Sequence, residues 1–155
     1  FISTVRGIPQ IYYGTEIAMT STEDHGQLRK DFPGGWPNDR VNAFIDMGLK
    51  SNQLEAKRFL KKLLNWRKNN VAIIKGNMIH YPVRDGVYIY FREYKNDLVM
   101  VAMNNNERKM RIDPQRFYEV IKDRKSGKNI FNDKIYKLSK KVTIPAKTVT
   151  VLEIY

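Results

Sequence analysis

The segment Ile8-Pro9-Gln10-Ile11-Tyr12-Tyr13 constrains this chain more than any other. It reads as one short strand, closed by Gly14 and followed by the carboxylate of Glu16. A strand apolar on both faces belongs inside a parallel sheet covered by helices. This one stands ahead of every other element and has no sheet of its own. The expectation is that its partner strands precede Phe1, so that any catalytic apparatus is only partly contained in these 155 residues. Pro9 lacks an amide donor and fits the start of the strand or a bulge.

Beyond the strand the pattern changes twice. Residues 17–50 show no periodicity and are rich in turn chemistry: Gly26, Pro33-Gly34-Gly35, Pro37-Asn38-Asp39 and Gly48. Loops of this length are usually functional or disordered. Phe32, Trp36, Phe44 and Ile45 give this one enough apolar surface to pack, which favours the functional reading. Residues 52–69 then form the clearest helix, with Leu54, Phe59, Leu60, Leu63 and Leu64 recurring along one face. Asn52 with Glu55 resembles a capping box, Ser51 is the alternative cap, and Asn69-Asn70 ends the helix.

From Val71 the period becomes two. Strands are expected over residues 78–83, 87–93, 98–104, 109–112, 141–144 and 148–155. Arg84-Asp85-Gly86 supplies a hairpin turn. Residues 117–121 fit either a strand or one helical turn after the Asp113-Pro114 start signal. The stretch holding Lys122, Arg124, Lys125 and Lys128 reads as a polar loop. The architecture expected is the last β-strand, loop and helix of a (β/α)8 barrel over residues 1–70, followed by an all-β antiparallel sandwich over residues 71–155.

Composition narrows the function. The absence of cysteine removes disulfides, thiolate catalysis and Cys-type zinc sites, and fits cytoplasm or periplasm equally. His25 and His80 have no ligand-spaced neighbours, so no metal site is expected. No apolar run reaches the ~20 residues of a membrane span. The net charge of +12 invites a nucleic-acid reading. However, the cations are dispersed and no aromatic RNA-binding motif or Gly-rich clamp accompanies them, so a solvated surface is the expectation and no nucleic-acid partner is assigned.

The run Arg6-Gly7-Ile8-Pro9-Gln10-Ile11-Tyr12-Tyr13-Gly14-Thr15-Glu16 resembles the eighth barrel strand of the α-amylase family. Many members carry Asp where this chain has Thr15. The segments Asp31-Phe32-Pro33-Gly34-Gly35-Trp36, Asn42-Ala43-Phe44 and Leu64-Asn65-Trp66-Arg67-Lys68 resemble the neopullulanase/cyclomaltodextrinase branch, and within it the periplasmic starch-utilisation type. The resemblance implies the C-terminal part of a retaining α-glucan hydrolase. Its substrates would be maltooligosaccharides, cyclodextrins or pullulan, its location periplasmic, and no cofactor is assigned. Retaining chemistry needs two carboxyls about 5 Å apart. In this family those groups sit on earlier strands and none maps here, so no catalytic residue is assigned and the fragment is expected to be inactive alone. The sandwich is expected to pack on the barrel.

Four residues are candidates for substrate binding: Glu16, Asp24, Arg29 and Trp36. Active sites of barrels lie at the C-terminal ends of the strands, where Glu16 falls; the alternative is a loop anchor. The resemblance gives Asp24 and Arg29 a reach toward glucose units, against a surface ion pair. Trp36 offers a plane for the apolar face of a sugar, against a place in the loop core. The aromatic row Tyr81, Tyr88, Tyr90, Phe91 and Tyr94 is either a starch-binding surface or, by strand alternation, half core. Two rival classes stand beside the hydrolase: a stand-alone carbohydrate-binding β-sandwich, and a basic nucleic-acid-binding domain with steeply salt-dependent affinity.

Overall fold

The computed structural model describes residues 1–22, 24–26 and 29–155. These divide into two compact units. One joins Phe1–Ile8 to Asn65–Tyr155, and the other is Pro9–Leu64.

The first unit is built on an antiparallel sheet. Its strands are β1 (Asn77–His80), β2 (Val87–Tyr94), β3 (Asp97–Asn104), β5 (Ser126–Asn129), β6 (Ile135–Lys137) and β8 (Thr148–Ile154), ordered β1-β2-β3-β8-β5-β6. A second, two-stranded sheet pairs β4 (Met110–Ile112) with β7 (Val142–Ile144). The turn between β2 and its upstream neighbour follows from its residues. Asp85 (φ 51°) and Gly86 (φ 70°) take the left-handed conformations that an Asp-Gly hairpin needs. Register follows: His80 opposes Tyr90 and Asn77 opposes Glu93. Asp113 caps the 3-10 helix Pro114–Phe117 by accepting from the Gln115 amide at 3.1 Å, and α3 (Tyr118–Ile121) continues it. Of the two readings for residues 117–121, the helical turn is the one adopted.

Alternation explains one face of the sheet. Val87, Ile89 and Phe91 of β2, Leu98, Met100 and Ala102 of β3, and Leu152 and Ile154 of β8 form one buried cluster. Phe117, Val120 and Ile121, Leu138, and the β4/β7 pair through Ile112, Val142 and Ile144 complete it. Each such side chain contributes about 1.5–3 kcal/mol on burial. The opposite face is buried as well. Tyr90, Arg92, Val99, Val101 and Val151 are all inaccessible. Helix α2 (Val71–Lys75), with buried Ala72 and Ile73, contacts β2 and β3.

Arg92 ties the chain start and α2 to the sheet from within. It donates from Nη1 to the Thr4 carbonyl at 3.2 Å, and from Nη2 to the carbonyls of Ile73 (2.9 Å) and Gly76 (2.8 Å). The Tyr90 hydroxyl lies 2.5 Å from Thr4 Oγ1. Gly76 is required for this approach, because a Cβ there would lie 2.2 Å from the Ala72 carbonyl oxygen. Burial, with Arg67 and Arg6 nearby, pushes the Arg92 guanidinium pKa down.

The helix expected over residues 52–69 is α1 (Ser51–Arg67). Its cap differs from both readings of the sequence: Gln53 reaches back to accept from the Lys50 amide at 3.0 Å. Asn70 is turned to a different use, capping α2 through the Ile73 amide at 3.0 Å. Trp66 donates from Nε1 to Glu153 on β8 at 2.7 Å.

Residues 8–13, read from the sequence as a strand, are not one. Ile8 is 98% exposed, and the helical turn Thr15–Ile17 follows soon after. The physical reason is pairing: among the described residues no strand lies beside this segment, and a strand's backbone groups need partners.

Candidate functional site

All four residues that the sequence marks for substrate lie in the unit Pro9–Leu64. Within this unit a turn is joined to a small hairpin. The Asp39 carboxylate accepts from the amides of Gly34 (2.7 Å) and Trp36 (3.2 Å). Gly34 is held at φ 98°, and a Cβ there would sit 2.5 Å from Asn42 Oδ1. Asn42 and Met47 exchange both backbone hydrogen bonds at 2.9 Å. The buried Ala43 donates its amide to the Pro33 carbonyl at 3.0 Å, binding hairpin to turn. The rings of Phe32 and Phe44 meet at 5.1 Å. From α1, Lys57 Nζ bonds the Ala43 carbonyl and lies 2.5 Å from Asp46 Oδ1. That bond holds the Asp46 carboxyl below its ordinary pKa.

Trp36 stands on this frame with 64% of its surface exposed. Its indole N–H donates to Asp31 Oδ2 at 3.2 Å, which fixes the ring and leaves surface to solvent. Tyr13 donates its hydroxyl to the Lys30 carbonyl at 3.0 Å and has Tyr12 beside it, ring centroids 4.7 Å apart. Burial pushes the Tyr13 phenol pKa up, Tyr12 and Asp31 push it further, and Arg29 opposes them. Asp31 thus links the group: it accepts from Trp36 and, with Arg29, acts electrostatically on Tyr13.

Glu16 and Asp24 are not linked to this group. Glu16 lies in the helical turn Thr15–Ile17, half-buried, with Oε2 buried and unpartnered among the described residues. Asp24 is exposed, and no ion pair joins it to Arg29 among the described residues. Sequence reasoning does not mark Asp31 or Asp39, and it weighs Tyr13 between the pocket and the barrel core, favouring the core. A signal existed for Asp39, since Asp after Pro-Asn commonly binds backbone amides in turns. For Asp31 and Tyr13 the partner is contributed by another part of the loop, which no local pattern encodes.

An exposed ring, a phenol, an arginine and a carboxylate can hold a polyhydroxy ligand by stacking and hydrogen bonds. Asp31, Asp39 and Asp46 each accept a hydrogen bond from an N–H donor. Among the described residues no group of three metal-ligating side chains occurs, and no helix is long and apolar enough to cross a membrane.

The strands from Asn77 to Ile154 make a mostly antiparallel β-domain. Residues 78–153 match the family described as the cyclo-malto-dextrinase C-terminal domain. An α-amylase of Niallia circulans is 36% identical over 103 residues, covering 66% of this chain and 16% of its own. A cyclomaltodextrin glucanotransferase of Geobacillus stearothermophilus is 33% identical over 105 residues, covering 66% of this chain and 12% of its own. This chain thus spans less than a fifth of either relative. The crystal structure of an Anoxybacillus α-amylase superposes with a TM-score of 0.71 at 19% identity, over 99% of this chain and 30% of that one, a likeness of fold. The chain belongs to the α-amylase family, as a C-terminal part of such an enzyme.

Proposed function

We propose that this chain completes a retaining α-glucan hydrolase of the neopullulanase/cyclomaltodextrinase branch, acting on maltooligosaccharides, cyclodextrins or pullulan. The match of residues 78–153 to the cyclo-malto-dextrinase C-terminal domain carries the reading. In it, residues 1–70 contribute the last strand, the cleft loop and the last helix of the catalytic barrel. Residues 71–155 are the accessory sandwich that packs on that barrel. The apolar character of residues 8–13, left exposed at Ile8, Tyr12 and Tyr13, supports a place for them in a sheet contributed by other chain.

The chain's own part in catalysis is to shape the cleft. Trp36 and the Tyr13–Arg29–Asp31 group would bind and orient glucose units, with Glu16 and Asp24 joining them. The nucleophile and general acid are contributed elsewhere, so the 155-residue chain alone is inactive. A periplasmic setting follows from the same resemblance.

The test begins with the coding DNA upstream of Phe1. The expected result is roughly the ~250 residues of a barrel, with Asp, Glu and Asp at successive strand ends. The whole enzyme should then release sugars from cyclodextrin and pullulan while the 155-residue chain releases none. A start codon just before Phe1, with saccharide binding by the chain alone, would replace this reading with that of a stand-alone carbohydrate-binding sandwich.

A further inference from the structure

A groove of about 530 Å³ lies far along the sequence from the loop unit, wholly within the sandwich. Its walls include Tyr118, Lys122, Arg124, Lys125, Lys137 and Ser126. Four of these are cations, and among the described residues Asp123 is the only side-chain carboxylate lining the groove. Arg124 is committed to structure: its guanidinium serves the carbonyls of Val120, Ile121 and Asn96. Lys122, Lys125 and Lys137 form no ion pair among the described residues. Unpaired ammonium groups around one depression repel one another and favour an anion between them.

The backbone adds a second observation. Lys122 is held at φ 54°, ψ −130°, a conformation suited to glycine, with its amide donating to the Tyr118 carbonyl. Sparsely populated backbone at a non-glycine residue clusters at ligand clamps. A lysine here therefore keeps an unfavourable conformation at the mouth of a cationic groove. The backbone of two lining residues is fixed: the amides of Lys125 and Ser126 both donate to a main-chain oxygen of the last residue, Tyr155, at 2.9 Å, and the Leu138 amide donates to the Lys125 carbonyl at 2.9 Å. Tyr118 is 59% exposed at the same wall.

We infer that this groove binds a phosphorylated sugar, with Lys122, Lys125 and Lys137 around the phosphate and Tyr118 beside the sugar ring. A phosphate ester carries close to two negative charges and three strong acceptor oxygens, which suits three lysines better than a single carboxylate would. The sugar half rests on the proposed α-glucan function; the anion half does not. This site is separate from the loop that carries Trp36.

The test is an amide NMR titration of the full 155-residue chain with glucose 6-phosphate, inorganic phosphate and maltotriose. Glucose 6-phosphate should shift the amides of residues 118–126 and bind more tightly than inorganic phosphate, and maltotriose should leave them unmoved. Lys122→Gly removes the cation while relaxing the backbone, so it should fold at least as stably yet bind glucose 6-phosphate about tenfold more weakly. Lys137→Gln, at a regular strand position, should weaken binding in the same direction. Equal binding of phosphate and glucose 6-phosphate would overturn the sugar half, and shifts with maltotriose would overturn the anion half. Unchanged affinity in both variants with intact spectra would overturn the site altogether. Hydrolysis by the whole enzyme is a separate assay, so loss of the α-glucan reading and loss of this site are distinguishable.

Discussion

The two units of this molecule bury their aromatic residues differently. In the sandwich, Tyr90, Phe91 and Phe117 are inaccessible; the sheet, α3 and β4/β7 share one buried cluster, and α2 contacts β2 and β3. In the unit Pro9–Leu64, Trp36, Phe44, Ile45 and Tyr12 keep 64–69% of their surface exposed. Its order comes from hydrogen bonds at Asp39, Asn42 and Lys57 instead of from a core. The sandwich therefore stabilises itself, while the loop unit is shaped but leaves its apolar side chains open to a ligand or to other chain.

The sharpest way to break this contrast is a pair of truncations. Phe91→Ala should destabilise the sandwich by about 3–5 kcal/mol, read by urea denaturation, whereas Phe44→Ala should shift the same midpoint very little. Equal losses would mean that the loop unit shares the core after all. Next in size is Arg92→Ala. It removes three hydrogen bonds to buried carbonyls, which share one guanidinium and therefore do not add. A loss of about 2–4 kcal/mol is expected, with hydrogen exchange at the amides of Thr4 and Gly76 rising; exchange unchanged there would show that Arg92 does not hold the chain start.

Within the loop, Gly34→Ala meets both the positive φ and the Asn42 side chain. A local cost of about 1–3 kcal/mol should appear as faster proteolysis between residues 32 and 47, with the denaturation midpoint of the sandwich unmoved. Coupled loss of both would again merge the two units. Alkali gives a smaller effect with a definite sign. Burial pushes the Tyr81 phenol, which donates to Glu119, and the Tyr90 phenol both up to about 12. Because the unfolded tyrosines ionise first, near pH 10, stability is full below that pH and declines as pH rises toward 12. Spectrophotometric titration should show late tyrosines, with Tyr81 and Tyr90 of the sandwich among them. The smallest change expected is that of Asp46→Asn. Its lowered carboxyl pKa makes the Lys57 pair stabilising above the unfolded pKa and lost as pH falls through the folded one. The pair is exposed, so the effect should show only in the exchange rate of the Ala43 amide.

The sequence by itself determined what depends on neighbours in the chain. Asp85-Gly86 sets a hairpin, Asp113-Pro114 starts a helical turn, and the α1 face and the strands β2, β3 and β8 follow from period. The family was legible for the same reason, since its motifs are contiguous. What only the tertiary structure decided depends on partners distant in sequence. The sequence reads the region of β5 as polar loop and assigns no element to β6, because Ser126–Asn129 and Ile135–Lys137 gain their strand form by pairing with β8 and with each other. The burial of Tyr90 and Arg92 on the face opposite Phe91 defeated simple alternation, because α2 and the chain start cover that face. Residues 8–13 had strand character but no neighbour to pair with, and Trp36 found Asp31 through the loop's own closure. Local chemistry selects a conformation from a short window. Burial and hydrogen-bond partners are set by which distant segments meet, and only the folded chain brings those together.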